Sequence, residues 1–140
     1  MLNTNIIGTE NGVAAKVTDR GQLVVATIEY SEAYTVSATV INTAYNFIGP
    51  KAGKRFVITA ILLNADKSVS ATNGAVIVIY EATSATSTTA SKTILSIELL
   101  KQVNRDITGL NLIVSEGVWL SIKTDDNNIN ATILGYYIDT

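Results

Sequence analysis

The chain has no cysteine and no histidine among its 140 residues. Without thiols there is no disulfide and no thiolate nucleophile. Without imidazole there is no Ser-His-Asp or Cys-His triad and no zinc site built on His or Cys. Proline occurs once, at Pro50, and only 16% of residues carry charge, against about 25% in ordinary soluble domains. The net charge is −2, with no cluster of Lys and Arg, so nucleic acid is not an expected partner. No Walker loop or Rossmann glycine fingerprint is present. No apolar run approaches the roughly 18–20 residues of a membrane-spanning helix, so a membrane is not expected either. The opening Met1–Gly8 lacks the basic and long apolar regions of a signal peptide, and folding in the cytosol is the expectation.

Carboxylate chemistry survives these exclusions. Asp125-Asp126 is the single adjacent acid pair. On a strand the two would face opposite ways, and in a turn both would be solvated, with little to raise one pKa for glycoside hydrolysis. The run Asp125–Asn128 also lacks the spacing and distal Glu of an EF-hand loop. Asp and Asn are what hairpin turns use, because they bond locally and tolerate left-handed backbone. No catalytic residue, metal site or cofactor is therefore expected, and the chain is read as a non-enzyme. Asn130-Ala-Thr132 matches a glycosylation sequon, but it falls inside a strand pattern.

What is present is β-forming sequence: 47% of residues are hydrophobic, arranged in short runs. Residues 54–64 stand out. Phe56 to Leu63 contain one polar residue, Thr59, so a strand there has two apolar faces, and something must cover the second. Residues 75–80 are apolar on both faces too. Residues 34–40 alternate, with Tyr34, Val36, Ala38 and Val40 expected inward. Further strands are expected at 22–28, 43–48, 93–100, 106–114 with a bend at Gly109, 118–123 and 129–138. Asn73-Gly74 marks a turn, and Thr124–Asn128 a hairpin tip. The uncharged, low-complexity run Ala82–Ser91 reads as an exposed loop. Strands at this spacing, with no helix, predict an all-β, antiparallel β-sandwich of jelly-roll type.

Residues 1–22 differ from the rest. Apolar residues come in ones and pairs, Ile6, Ile7, Val13 and Val17, among Asn, Thr and Gly. Such a segment has little to build a core with and reads as an extended N-terminal arm, either frayed or ordered on a neighbouring chain. The division expected is an arm over 1–22 and a sandwich over 23–140. On the strand at 118–123, Val118, Leu120 and Ile122 form the inward set. Trp119 then faces outward, as a contact anchor or under a loop of its own subunit. Tyr136, in the pair Tyr136-Tyr137, adds amphipathic surface.

Three stretches carry a resemblance: Lys16–Val25 after a variable N-terminus, Glu116–Asp125, and Leu134–Ile138 at the end. Their layout resembles small structural proteins of tailed-bacteriophage virions, of head-decoration (cement), head-fibre or tail-associated type. The resemblance implies a jelly-roll-like domain, a homotrimer, the major capsid protein as partner, and a place in the virion after assembly in the host cytoplasm. The interaction residues expected are Ile6, Ile7, Val13, Val17, Trp119 and Tyr136. A different class of function, a receptor- or glycan-binding module of a head or tail fibre, would instead use loop tips at 82–91 or 124–128.

Overall fold

A computed structural model describes residues 6–7, 14–17, 23–26, 32–65, 74–100, 102–126 and 128–140. The chain divides into two units, Met1–Tyr30 and Ser31–Thr140. In the first, β1 (Ile6–Ile7), β2 (Ala14–Val17) and β3 (Leu23–Ala26) form a three-stranded sheet in the order β1–β2–β3. Both pairings are antiparallel. The stretch expected as an extended arm thus holds strands bonded to one another. Leu23–Ala26, expected to open the sandwich, pairs with β2. Of the anchors expected there, Ile6 and Ile7 form β1 and Val17 ends β2; Val13 lies outside the described residues.

The second unit contains β4 (Glu32–Ala38), β5 (Tyr45–Ile48), β6 (Lys54–Ala65), β7 (Ala75–Ala82), β8 (Lys92–Leu99), β9 (Asn104–Ile107), β10 (Leu112–Ile113), β11 (Trp119–Thr124) and β12 (Ile129–Asp139). One sheet runs β10–β6–β12–β4, with β9 also on β6; the other runs β5–β11–β7–β8. Strands β9 and β10 share one edge of β6 and act as a single strand broken at Gly109, whose φ is +71°. That is the bend expected within 106–114.

The pairings reveal a long hairpin rolled up on itself. β4 pairs with β12, β5 with β11, β6 with β9 and β10, and β7 with β8, all antiparallel. The first half of the domain is matched in reverse order by the second, and the doubled ribbon folds into two facing sheets. This is jelly-roll topology. Hydrophobic burial between the sheets is the dominant favourable term. The core joins Phe56, Ile58, Ile61, Leu63, Ile129 and Ile133 of one sheet to Phe47, Ile77, Ile79, Leu99, Leu120 and Ile122 of the other.

Bulges decide which apolar residues reach that core. Leu134 pairs with Ala60 and Gly135 with Ile58, leaving Thr59 without an opposite residue. An extra residue flips the alternation of everything beyond it. Phe56 and Ile58 therefore face the core before the bulge, and Ile61, Leu63 and Ala65 after it. The Thr59 hydroxyl donates to the Leu134 carbonyl at 3.1 Å, and its own carbonyl accepts from Leu110 N–H at 2.9 Å. Phe47 in β5 and Ile94 in β8 are extra residues of the same kind, so Phe47-Ile48 and Ile94-Leu95 pack toward the core as adjacent pairs. Gly135 is required at its position. A Cβ there would lie 2.0 Å from the Val57 carbonyl oxygen and 2.7 Å from the Phe56 ring.

The inward set at 34–40 holds for Tyr34, Val36 and Ala38. Val40 is corrected: β4 ends at Ala38, and Val40 lies beyond it, 54% exposed.

Candidate functional site

The sandwich presents two outer faces and two ends. On the β5–β11–β7–β8 sheet, Tyr80 and Ala82 point away from the core and are nevertheless fully buried. Their cover is the connection between β7 and β8. The Tyr80 hydroxyl donates to the Ser87 carbonyl at 2.8 Å, Asn46 Nδ2 to the Ala85 carbonyl at 3.0 Å, and Lys123 Nζ to the Thr88 carbonyl at 2.6 Å. Ser121 Oγ donates to Asn46 Oδ1 at 2.7 Å and so orients that amide. Lys123 also lies 5.4 Å from the Tyr80 ring centroid, within cation–π range. Burial raises the Tyr80 pKa above its ordinary value. The Ser/Thr run keeps most of its side chains in solvent, as expected of a loop, but its backbone is docked. It is a lid on its own sheet whose side chains remain on the surface. The second face of β7 is thus covered within the chain at Tyr80 and Ala82, while Val76 at its other end stays exposed.

Trp119 shares this outer face, half-buried, with its ring against Gly49, where a Cβ would lie 2.9 Å from the indole. Near the same end, Glu81 is 2% exposed. Its Oε1 accepts from Lys92 Nζ at 3.2 Å and from Ser115 N–H at 3.0 Å, so the buried carboxylate is compensated by a cation and a backbone donor.

The outer face of the β10–β6–β12–β4 sheet is open over one half. Register places Asp106, Leu62, Thr132 and Thr35 in one row across β9, β6, β12 and β4, and Asn104, Asn64, Asn130 and Ser37 in the next. Thr35 and Thr132 hydroxyls bond at 2.8 Å, Ser37 Oγ donates to Asn130 Oδ1 at 2.6 Å, and Asn64 Nδ2 donates to Asn104 Oδ1. The middle of this grid is an open depression of about 200 Å³ around Leu62 and Asn64. Toward the other end the face becomes apolar, with half-buried Tyr136 beside Val57, which is 2% exposed. Under that end, Phe56 meets Tyr34 and Tyr137 edge-on, with ring centroids 5.7 and 5.1 Å apart, and Lys51 Nζ lies 4.2 Å from the Tyr137 centroid.

One end of the sandwich carries exposed aliphatic side chains: Val40 and Ile41 after β4, Leu100 and Val103 between β8 and β9, and Val76 in β7. Backbone bonds tie these segments into one rim. Asn42 N–H donates to the Thr124 carbonyl, Asp125 N–H to the Val76 carbonyl, Val103 N–H to Leu100, and Ala65 N–H to Val103. Asp125 serves this rim by bonding across to β7, its Oδ1 accepting from Val76 N–H at 2.7 Å. Asn128 adopts φ +59° in the connection that carries the chain from β11 in one sheet to β12 in the other, so the hairpin expected at Thr124–Asn128 is corrected: the two strands do not pair. Among the described residues, no three Asp or Glu side chains gather as a metal site.

No family model and no curated protein matches this chain. It is similar to a chain in the capsid asymmetric unit of cyanophage Pam1, at 18% identity and a TM-score of 0.45, over 85% of this chain and 95% of that one. It is also similar to a chain of infectious bursal disease virus, Gx strain, at 12% identity and a TM-score of 0.34. A third likeness, to T=1 particles derived from the bursal virus, has 10% identity and a TM-score of 0.36. The matches cover 96% and 92% of this chain but only 37% and 39% of those two. The jelly roll itself is read from strand pairing and does not lean on these likenesses.

Proposed function

We propose that this chain is a non-enzymatic structural component of a virus particle: a capsid decoration protein that docks onto the major capsid protein through the apolar end of its sandwich. The exposed rim of Val40, Ile41, Val76, Leu100 and Val103 carries the reading. Several aliphatic side chains exposed at one end of a sandwich are a contact signature and, left uncovered, an aggregation hazard. The jelly-roll topology is one that capsid domains use. A homotrimer belongs to the same proposal. The aliphatic side chains left exposed on the sandwich are the surface it would bury.

The test adds wild-type protein and an Ile41→Ser/Leu100→Ser double variant to particles lacking the protein, followed by co-sedimentation. The wild type should pellet with the particle at a copy number approaching that of the major capsid protein. The variant should stay in the supernatant while its melting temperature changes little. Equal pelleting of both forms, or only a few copies per particle, would overturn the proposal. Sedimentation of the free protein as a monomer at micromolar concentration would remove the trimer.

A further inference from the structure

We infer that the polar grid on the outer face of the β10–β6–β12–β4 sheet is a binding site for a neutral carbohydrate, seated over Leu62. The argument rests on what each side chain has left to offer. Asn130 Oδ1 is occupied by the Ser37 hydroxyl, so its amide presents N–H donors. Asn104 Oδ1 is occupied by Asn64, so Asn104 also presents donors while Asn64 keeps its oxygen as an acceptor. Asp106 is exposed and absent from the ion pairs seen among the described residues, which join Lys54 to Asp139 and Lys92 to Glu81. Its carboxylate adds acceptors only. Thr132 completes the ring with a hydroxyl shared with Thr35.

Donors and acceptors therefore alternate around one depression. A bound anion would meet the Asp106 carboxylate, and a bound cation would face the N–H groups of Asn104 and Asn130. Hydroxyl groups both donate and accept, so a polyol matches the pattern. The dimensions agree: three strands about 4.8 Å apart and two rows roughly 7 Å apart frame an area close to that of one sugar ring. Leu62, half-buried between Asp106 and Thr132, offers an apolar floor for the C–H face of the ring. This placement differs from the loop tips at 82–91 and 124–128 to which sequence alone points. It does not rest on the capsid reading, since particle binding can fail with sugar binding intact.

The test follows amide shifts of the full chain while methyl glycosides of glucose, galactose, mannose and N-acetylglucosamine are added to tens of millimolar. A depression this open should bind in the millimolar range. Shifts are expected for at least one glycoside, concentrated at residues 62–64, 104–106 and 130–132. Asp106→Ala should weaken that binding at least fivefold, whereas Glu116→Ala, an exposed acid outside the grid, should leave it unchanged. No shift with any glycoside would overturn the inference. So would equal shifts with glycerol, or unchanged affinity in Asp106→Ala.

Discussion

The two outer faces of this sandwich begin from similar strands and end in opposite states. On one, Tyr80 and Ala82 are sealed beneath a loop of the same chain. On the other, Thr35, Ser37, Asn64 and Asn130 stand in rows open to solvent. The difference teaches that an apolar second face does not by itself require a partner. The sealing loop has scarcely an apolar side chain to contribute. It covers Tyr80 because its carbonyls accept from Tyr80, Asn46 and Lys123. A buried hydroxyl or amide without such acceptors would cost about 1–3 kcal/mol. Composition says that residues 82–91 are polar; only the pairing of β7 with β8 says where that polar backbone lands.

The largest expected effect is on the sealed face. Tyr80→Ala removes a fully buried ring and the bond that holds the lid at Ser87. Emptying an aromatic site costs about 3–5 kcal/mol, a large share of a small domain's stability. Urea unfolding should show that loss, and hydrogen exchange should show faster exchange at residues 84–90. A loss below about 1 kcal/mol would mean that the lid contributes little and the face is open in solution.

The next effect falls on the register that separates core from outer face. Gly135→Ala puts a methyl group against the Val57 carbonyl and the Phe56 ring. Overpacking of this kind costs about 1–3 kcal/mol, and occasionally more. The strain should appear as altered ring contacts among Tyr34, Phe56 and Tyr137, read by near-UV circular dichroism. A variant of wild-type stability would show that β6 and β12 can part at the bulge without cost.

These two sites also mark what was legible in the sequence. Alternation placed Tyr34, Val36 and Ala38 inward and set Leu120 and Ile122 against them, because those strands run without interruption on the core side. It failed on β6. A strict period of two puts Phe56 and Ile61 on opposite faces, and no residue type announces that Thr59 is the extra one. The apparent surplus of apolar face was partly a bulge unrecognised. The polar grid was hidden for a related reason. Its members sit at 62–64, 104–106 and 130–132, far apart along the chain, each looking like an ordinary polar strand position. Register alone brings them into two rows.

The smallest effect should be on the open face, and it is the sharpest test of the comparison. Ser37→Ala removes the hydroxyl that donates to Asn130 Oδ1. Both groups are exposed, so water can replace the lost partner, and no buried polar atom is stranded. Cross-strand pairs of this kind contribute about 0.2–1 kcal/mol, and exposed substitutions usually stay within about 0.5 kcal/mol. Alanine is also somewhat less suited to a strand than most alternatives, which adds a small cost of the same sign. We therefore expect a loss near 0.5 kcal/mol in urea unfolding, with an unchanged slope. A loss above about 2 kcal/mol would require a desolvated hydrogen bond. The face would then be covered in the folded chain, and both outer faces would be closed.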